Sequence, residues 1–262
     1  MLKRIYVSAL RRLRSPAQRL GLLAWLERHR HRRLALWLRS LFAIYDSDDL
    51  IRLDLAWWTF AAMQQVEQFL RQRPAARVFE YGAGSSTVWL ARRGARVTSV
   101  DHDGQWVGRL GRHCSGYANI DLQHVAPVPS ERPRIGSQHA AWQQQDFHDY
   151  VHAIDQLPGD FDLIIIDGRC RVACLQQACG RLRPGGMILF DNAGRKRYRT
   201  ALQAVPLQRQ RTWGLTACLP YPDTTILLFD HQDAKLHAVA QPGRETAVAS
   251  APQSQLRIGK TC

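Results

Sequence analysis

No apolar run in this 262-residue chain approaches the ~20 residues that a membrane-spanning helix needs, so no such span is expected. Its six cysteines (114, 170, 174, 179, 218 and 262) are scattered. They lack the paired C-x-x-C knuckle of a zinc site, so packing is the expected role of the 170, 174 and 179 set. The stretch before Ser15-Pro16 has neither a long apolar core nor a small-residue cleavage site, which argues against a secretory signal. A reduced, cytoplasmic protein is the expectation that follows. Acids are nearly missing from the beginning of the chain. Residues 1–40 hold eleven Lys and Arg against the single Glu27, and so carry most of the formal net charge of +14. The excess charge thus says little about any cleft further along.

The basic segment has a pattern of its own. Leu10, Leu13, Leu20, Leu23 and Leu26, then Leu34, Trp37, Leu38, Leu41 and Phe42, recur at spacings of three and four. That periodicity predicts amphipathic helices, with breaks expected near Ser15-Pro16 and in the Arg28–Arg33 run. Residues 1–50 are read as a helical arm with two open roles: a cap on the following domain, or peripheral contact with anionic lipid or nucleic acid. Asp46–Leu53 reads as an acidic turn, and 55–72 as one helix with Trp57 and Trp58 on its apolar side. Residues 51–230 form the expected main domain. Residues 231–262, small, polar and charged, are expected to be disordered.

The domain is organised around 78–101, VFEYGAGSSTVWLARRGARVTSVD. Arg77–Tyr81 is a predicted strand, Gly82-Ala83-Gly84 a turn, and Ser85 and Ser86 open a helix that ends at Gly94. Arg96–Val100 is a second strand, closed by Asp101, nineteen residues beyond Gly82, where an acid can take both hydroxyls of a ribose. A dinucleotide fingerprint requires a third glycine where Thr87 stands. Glu80 at the strand end would repel a pyrophosphate but can accept hydrogen bonds from an ammonium group. With FEYGAGSST, SVDHD and IDGR at these relative positions, the chain resembles the class I S-adenosylmethionine-dependent methyltransferases, in a bacterial small-molecule O-methyltransferase-like branch.

The resemblance implies a Rossmann-like α/β fold: a mostly parallel seven-stranded sheet with an antiparallel closing strand, preceded by N-terminal helices. FDLIIID (161–167) suits the centre of that sheet, since continuous apolarity means burial on both faces. It also implies S-adenosylmethionine as cofactor, held by Glu80, Gly82, Gly84, Ser85, Ser86, Asp101 and His102. Relatives often place an adenine-binding acid after the third strand, but Ala126-Pro127-Val128-Pro129 follows here. Pro127–Gln138 is expected to be a loop able to close over a substrate.

For the chemistry, Asp167 and Arg169 are the catalytic candidates, and Arg171, Asp191 and Asn192 the substrate-facing ones. Asp167, Asp191 and Asn192 also match the residue types that hold magnesium in the catechol branch. That branch carries a lysine shortly after its first acid, whereas Gly168-Arg169-Cys170-Arg171 stands here, and an arginine cannot act as that base. A metal is therefore not favoured. The Asn/Asp-Pro-Pro-Tyr string of amino-methylating relatives is replaced by Ile166-Asp167-Gly168-Arg169, which favours a hydroxyl or carboxyl on a small molecule or glycan. Two alternatives stand beside that reading. One is an RNA methyltransferase using the basic arm, although no lysine of a Lys-Asp-Lys-Glu set occurs between Lys3 and Lys196. The other is a non-catalytic, cofactor-binding or membrane-associated module of the same fold.

Overall fold

A computed structural model describes residues 2–230. The segment 231–262, expected to be disordered, lies outside the described residues. Four helices come first: α1 (Leu2–Arg19), α2 (Leu22–Arg28), α3 (Arg33–Leu41) and α4 (Ser47–Arg52). There follow α5 (Phe60–Arg71), β1 (Arg77–Tyr81), α6 (Ser85–Arg92), β2 (Arg96–Asp101), α7 (Gly104–Cys114) and β3 (Ile120–His124). A two-stranded ladder, β4 (Val128–Pro129) with β5 (Gln145–Asp146), precedes α8 (His148–His152) and β6 (Phe161–Ile166). The chain continues through α9 (Arg171–Cys179), β7 (Leu182–Phe190), α10 (Arg199–Ala204), β8 (Gln208–Gly214) and β9 (Asp223–Phe229).

The main sheet has the order β3-β2-β1-β6-β7-β9-β8, parallel from β3 to β7, with β9 antiparallel to both of its neighbours. Its two faces are read directly from alternation along the strands. Val78, Leu163, Ile165, Met187 and Leu189 pack with Trp58, Val66, Phe69 and Leu90 on one side. Phe79, Tyr81, Ile164, Ile166, Ile188 and Phe190 pack with Phe147, Tyr150 and Leu175 on the other. Tyr81 lies beside Val100 and Ile166, and Ile166 beside Phe190. This register brings Gly82, Asp101, Asp167 and Asp191 out together at one sheet edge, where ligands of open α/β sheets bind.

The N-terminal helices share this core rather than standing apart from it. Ala43, Ile44 and Leu50 are buried in the cluster that holds Trp58, with Tyr6, Val7, Leu10, Leu36 and Trp37 packed against it. A charge network ties them down. Arg39, 1% exposed, donates through Nε to Glu27 (2.7 Å) and through its two Nη atoms to Asp49 (3.0 and 2.7 Å). Arg14 of α1 reaches Asp49 at 3.0 Å and also Asp46. These helices are thus packed onto the core of the sheet by apolar contacts and ion pairs.

Some local expectations need correction. Helix α1 passes through Pro16, whose carbonyl still accepts from Leu20 N at 2.9 Å. The helix stops instead where Gly21 turns left-handed, at φ 74°. Asp46–Leu53 is a helix rather than a turn, capped by Asp46 accepting from Asp49 N. Helix α5 begins at Phe60, not Leu55. Thr59 is its cap, accepting from Ala62 N, and is bridged to Thr216, which draws the preceding residues out of the helix. Strand β7 starts at Leu182, so Arg183–Gly186 belong to it rather than to a turn before it.

Candidate active site

A cavity of about 1210 Å³ opens at the carboxyl ends of the strands. Gly82, Gly84, Ser85, Ser86, Asp101, His102, Asp167, Arg169 and Arg171 all line it. The two turn glycines have different reasons to be glycine. Gly82 has φ +95°, and a Cβ there would lie 2.6 Å from the Gly168 backbone, so β1 and β6 approach too closely for any side chain. Gly84 is extended, and an added Cβ would meet only Ser86 Oγ, at 3.7 Å. Its bareness leaves room on the cavity side, beside the unpaired N–H groups at the start of α6.

Asp101 is 6% exposed, and its Oδ1 accepts from Asp103 N at 3.0 Å. That bond fixes the carboxylate and leaves Oδ2 for a ligand hydroxyl. His102 Nδ1 lies 3.0 Å from the same Oδ1, while its Nε2 takes the Arg169 Nε–H at 3.3 Å. The Nδ1 contact is close but not aligned as a hydrogen bond, so the ring is tied to the β6 side through Arg169. Trp142, 4.8 Å away by ring centroids, covers it.

Glu80 departs from expectation. Its carboxylate is fully buried, outside the cavity lining, and accepts from Ser86 Oγ (2.5 Å), Thr87 Oγ1 (2.5 Å) and Ser99 Oγ (2.7 Å). These three bonds hold the first turn of α6 against β2. Burial pushes its pKa up to about 7, against the pull of the three hydroxyls. The Ser86 hydroxyl is likewise turned inward, and Gly84, not a serine, is the N-cap of α6.

Asp167 and Arg171 form the polar centre of the opposite wall. Asp167 Oδ1 accepts from Arg171 Nη2 at 2.7 Å, and Oδ2 from Trp58 Nε1 at 3.3 Å. Arg171, 8% exposed, also donates to the carbonyls of Asp167, Gly168 and Asp191. These contacts revise its expected role as a substrate anchor: its donors are spent on the loops after β6 and β7. Burial works against its charge, but Asp167 and Asp191 outweigh it and raise the pKa.

Asp191 is 1% exposed and accepts from Thr225 Oγ1 and Asn192 Nδ2, both at 2.7 Å. Burial first, and Asp167 next, push its pKa up to about 8. Asn192, left-handed at φ 49°, also donates to Asp223 Oδ2 at 2.9 Å. It lines a smaller recess of about 140 Å³ that Asp167, Asp191 and Asp223 share.

The oxygens that would hold a divalent ion are thus engaged by Arg171, Trp58, Thr225 and Asn192, and the neutralising charge is already an arginine. The donor set as arranged does not fit a metal. Among the described residues no group of three or more His, Cys, Asp or Glu side chains is placed to hold one.

Several lining residues had only weak signals in the sequence. Arg195 and Arg197 belong to the basic run after β7, and residues 135–139 to the proline-rich loop after β3. Trp57 lines the cavity while Trp58 is buried. Arg11, Tyr45, Asp46 and Ser47 bring the N-terminal helices into the wall, and Trp106 and Arg109 extend it from α7. No residue of β3 or of the four following it reaches the cavity, so no adenine-binding acid is offered there.

With β9 running antiparallel between β7 and β8, the sheet departs from a dinucleotide-binding one, and its edge offers a glycine turn and an aspartate where a nucleoside is held. This is the strand arrangement of a Rossmann-like methyltransferase fold. Residues 79–193, from within β1 to just past β7, match the family model described as a methyltransferase domain. No curated protein sequence matches the chain.

Among solved structures, cofactor-bound Rv0187 from MTB is 22% identical, over 72% of this chain and 88% of that one, with a TM-score of 0.47. A methyltransferase-like protein from Silicibacter pomeroyi is 20% identical, over 65% and 86%, with a TM-score of 0.46. An rRNA methylase from Streptococcus thermophilus is 13% identical, over 64% and 95%, with a TM-score of 0.46. Among the described residues no helix is long and apolar enough to cross a membrane.

Proposed function

We propose that the enzyme transfers the methyl group of S-adenosylmethionine to a hydroxyl or carboxyl oxygen of a small-molecule or glycan acceptor. Gly82, Gly84 and the start of α6 would hold the cofactor, with Asp101 and His102 at its ribose. Glu80 serves it indirectly, by fixing α6. The acceptor enters from the side of Asp167, Arg169 and the residues after β7.

When bound, the cofactor would supply an electrophilic methyl that the acceptor's oxygen lone pair takes as the C–S bond breaks, the electron pair remaining on a neutral thioether sulfur. A hydroxyl acceptor loses its proton to Asp167 Oδ2, which only the long Trp58 bond engages and whose basicity burial raises. A carboxylate acceptor needs no base. Arg169, anchored on His102 Nε2, orients the acceptor against the cofactor.

The observation that carries this reading is the cavity itself. Its about 1210 Å³ exceeds the ~300–1,000 Å³ of ordinary single-ligand pockets, so it has room for cofactor and acceptor together. Its wall opposite the sheet edge comes from the N-terminal helices. The test is transfer of labelled methyl from S-adenosylmethionine across phenols, sugars, carboxylic acids and RNA. Label is expected on an oxygen of a small acceptor, and Asp167→Asn is expected to cut kcat on hydroxyl acceptors while S-adenosylhomocysteine still binds. Label confined to RNA or to amines would overturn the assignment.

A further inference from the structure

Charge in the cavity is unevenly settled. Of its three aspartates, Asp46 is paired with Arg14 and Asp167 with Arg171, while Asp101 sits at the end of β2. Arg169, Arg195 and Arg197 line the same cavity and have no carboxylate within ion-pair distance among the described residues. Each is instead oriented by an acceptor that is not a carboxylate. Arg169 Nε donates to His102 Nε2 at 3.3 Å, and Arg195 Nη2 to Asn192 Oδ1 at 2.9 Å. Arg197 donates to Gln138 Oε1 at 3.2 Å and to Tyr198 Oη at 2.8 Å. These bonds use one or two N–H groups per guanidinium and leave the rest without a hydrogen bond among the described residues, although Arg195 also borders the recess of Asp167, Asp191 and Asp223. A guanidinium held in place by acceptors other than carboxylates is a preorganised site for a planar or tetrahedral anion.

The cofactor does not supply that anion. S-adenosylmethionine carries a sulfonium and an ammonium against one carboxylate, so its arrival adds positive charge to a cavity already in surplus. The compensating charge has to come with the acceptor, and it must reach the mouth formed by residues 135–139, 168–170 and 195–198. Cys170 Sγ against Gly136 O (3.6 Å) and the Arg197–Gln138 bond join these three segments.

We propose that the methyl acceptor is an anionic small molecule, bearing a phosphate or carboxylate distinct from the oxygen that is methylated, and that Arg169, Arg195 and Arg197 hold that anion. The proposal rests on the methyl-transfer reading above and adds the acceptor's charge to it. The anion also sets which end of the acceptor faces the cofactor, because the arginines lie on the β6–β7 side and the glycine turn on the β1–β2 side.

The test uses the full chain saturated with S-adenosylhomocysteine, at constant ionic strength in chloride. Thermal unfolding is followed while inorganic phosphate, malonate or neutral glycerol is titrated in. A saturable rise in Tm is expected with phosphate or malonate and none with glycerol. A rise with phosphate alone assigns a phosphate group, and one with malonate alone a carboxylate. In the Arg195→Gln/Arg197→Gln double variant the apparent Kd of the anion should rise at least tenfold, with S-adenosylhomocysteine affinity by calorimetry within twofold of wild type. Both side chains are exposed, so folding is not at stake.

No saturable anion effect in a protein that binds S-adenosylhomocysteine would overturn the anionic acceptor alone. So would an effect that the double variant leaves unchanged, or displacement of phosphate by short RNA but not by phosphorylated sugars. Failure to bind S-adenosylhomocysteine at all would instead overturn the methyl-transfer reading beneath it.

Discussion

Replacing Gly84 with alanine separates room for a ligand from the needs of the backbone. Gly84 is extended, at φ −171° and ψ −157°, a conformation that any residue adopts, and the new methyl would meet only Ser86 Oγ at 3.7 Å. Folding stability should therefore change by no more than ~0.5 kcal/mol. The methyl would, however, stand in the space through which a nucleoside cofactor approaches the start of α6. Forcing one extra carbon into a filled site costs ~1–3 kcal/mol, which is roughly a tenfold to hundredfold loss of affinity.

Gly82→Ala should behave in the opposite way. Its φ of +95° strains any side chain by ~1–3 kcal/mol, and a Cβ would overlap the Gly168 backbone at 2.6 Å. That variant should unfold at clearly lower urea even without ligand. The assays are urea melts of both variants and calorimetric titration with S-adenosylhomocysteine. Wild-type binding by Gly84→Ala would refute cofactor approach at Gly84, and wild-type stability of Gly82→Ala would refute the close contact of the β1 and β6 ends.

Asp101→Ala removes the carboxylate assigned to the ribose and should weaken S-adenosylhomocysteine binding by ~1.5–3 kcal/mol, measured by calorimetry; an unchanged Kd would move the ribose elsewhere. Glu80 makes stability pH-dependent. Its folded pKa of about 7 lies above the usual carboxylate value, so the folded state keeps a proton that the unfolded chain releases, and stability falls as pH rises from about 4.5 to 7. Glu80's share of the loss is about 3 kcal/mol by the ~1.4 kcal/mol carried by each pKa unit, and Glu80→Gln should remove that share in urea melts at pH 5 and pH 8, leaving the fall that Asp191, raised to about 8, contributes. Equal slopes for the two proteins would rule Glu80 out as its source. Arg39→Met leaves the buried Asp49 to Arg14 and Arg52 alone and should approach the ~3–5 kcal/mol cost of breaking a buried pair. A change below ~1 kcal/mol would mean that the N-terminal helices are held by their apolar contacts instead.

The sheet was legible because its strands announce themselves. FDLIII is apolar at nearly every position, VFEY stops at a glycine, and RVTSVD closes with an acid, so strand ends and turn could be placed to within a residue. The site residues at those ends followed from the spacing of Gly82, Gly84 and Asp101. What stayed hidden depended on long-range partners. Nothing near Glu80 in sequence says that Ser86, Thr87 and Ser99 will close around it, and a strand-end acid reads the same whether it faces a ligand or the core. Arg171 gave no sign that its donors belong to three backbone carbonyls and Asp167. Thr59 could not be read as a cap without Thr216, more than 150 residues on. The N-terminal helices showed their amphipathic period but not that Arg39 would be buried, nor that Arg11 and Tyr45 would wall the cavity. Basic side chains in an amphipathic helix look alike until their partners are known.

The account's central claim is that the glycine turn and Asp101 hold S-adenosylmethionine rather than a dinucleotide. Isothermal titration of the full chain with S-adenosylmethionine, S-adenosylhomocysteine and NAD tests it directly. One molecule of S-adenosylmethionine or its demethylated product should bind per chain, with affinity lost in Gly84→Ala and Asp101→Ala and no heat from NAD. Tight NAD binding with none of the sulfonium cofactor would contradict it.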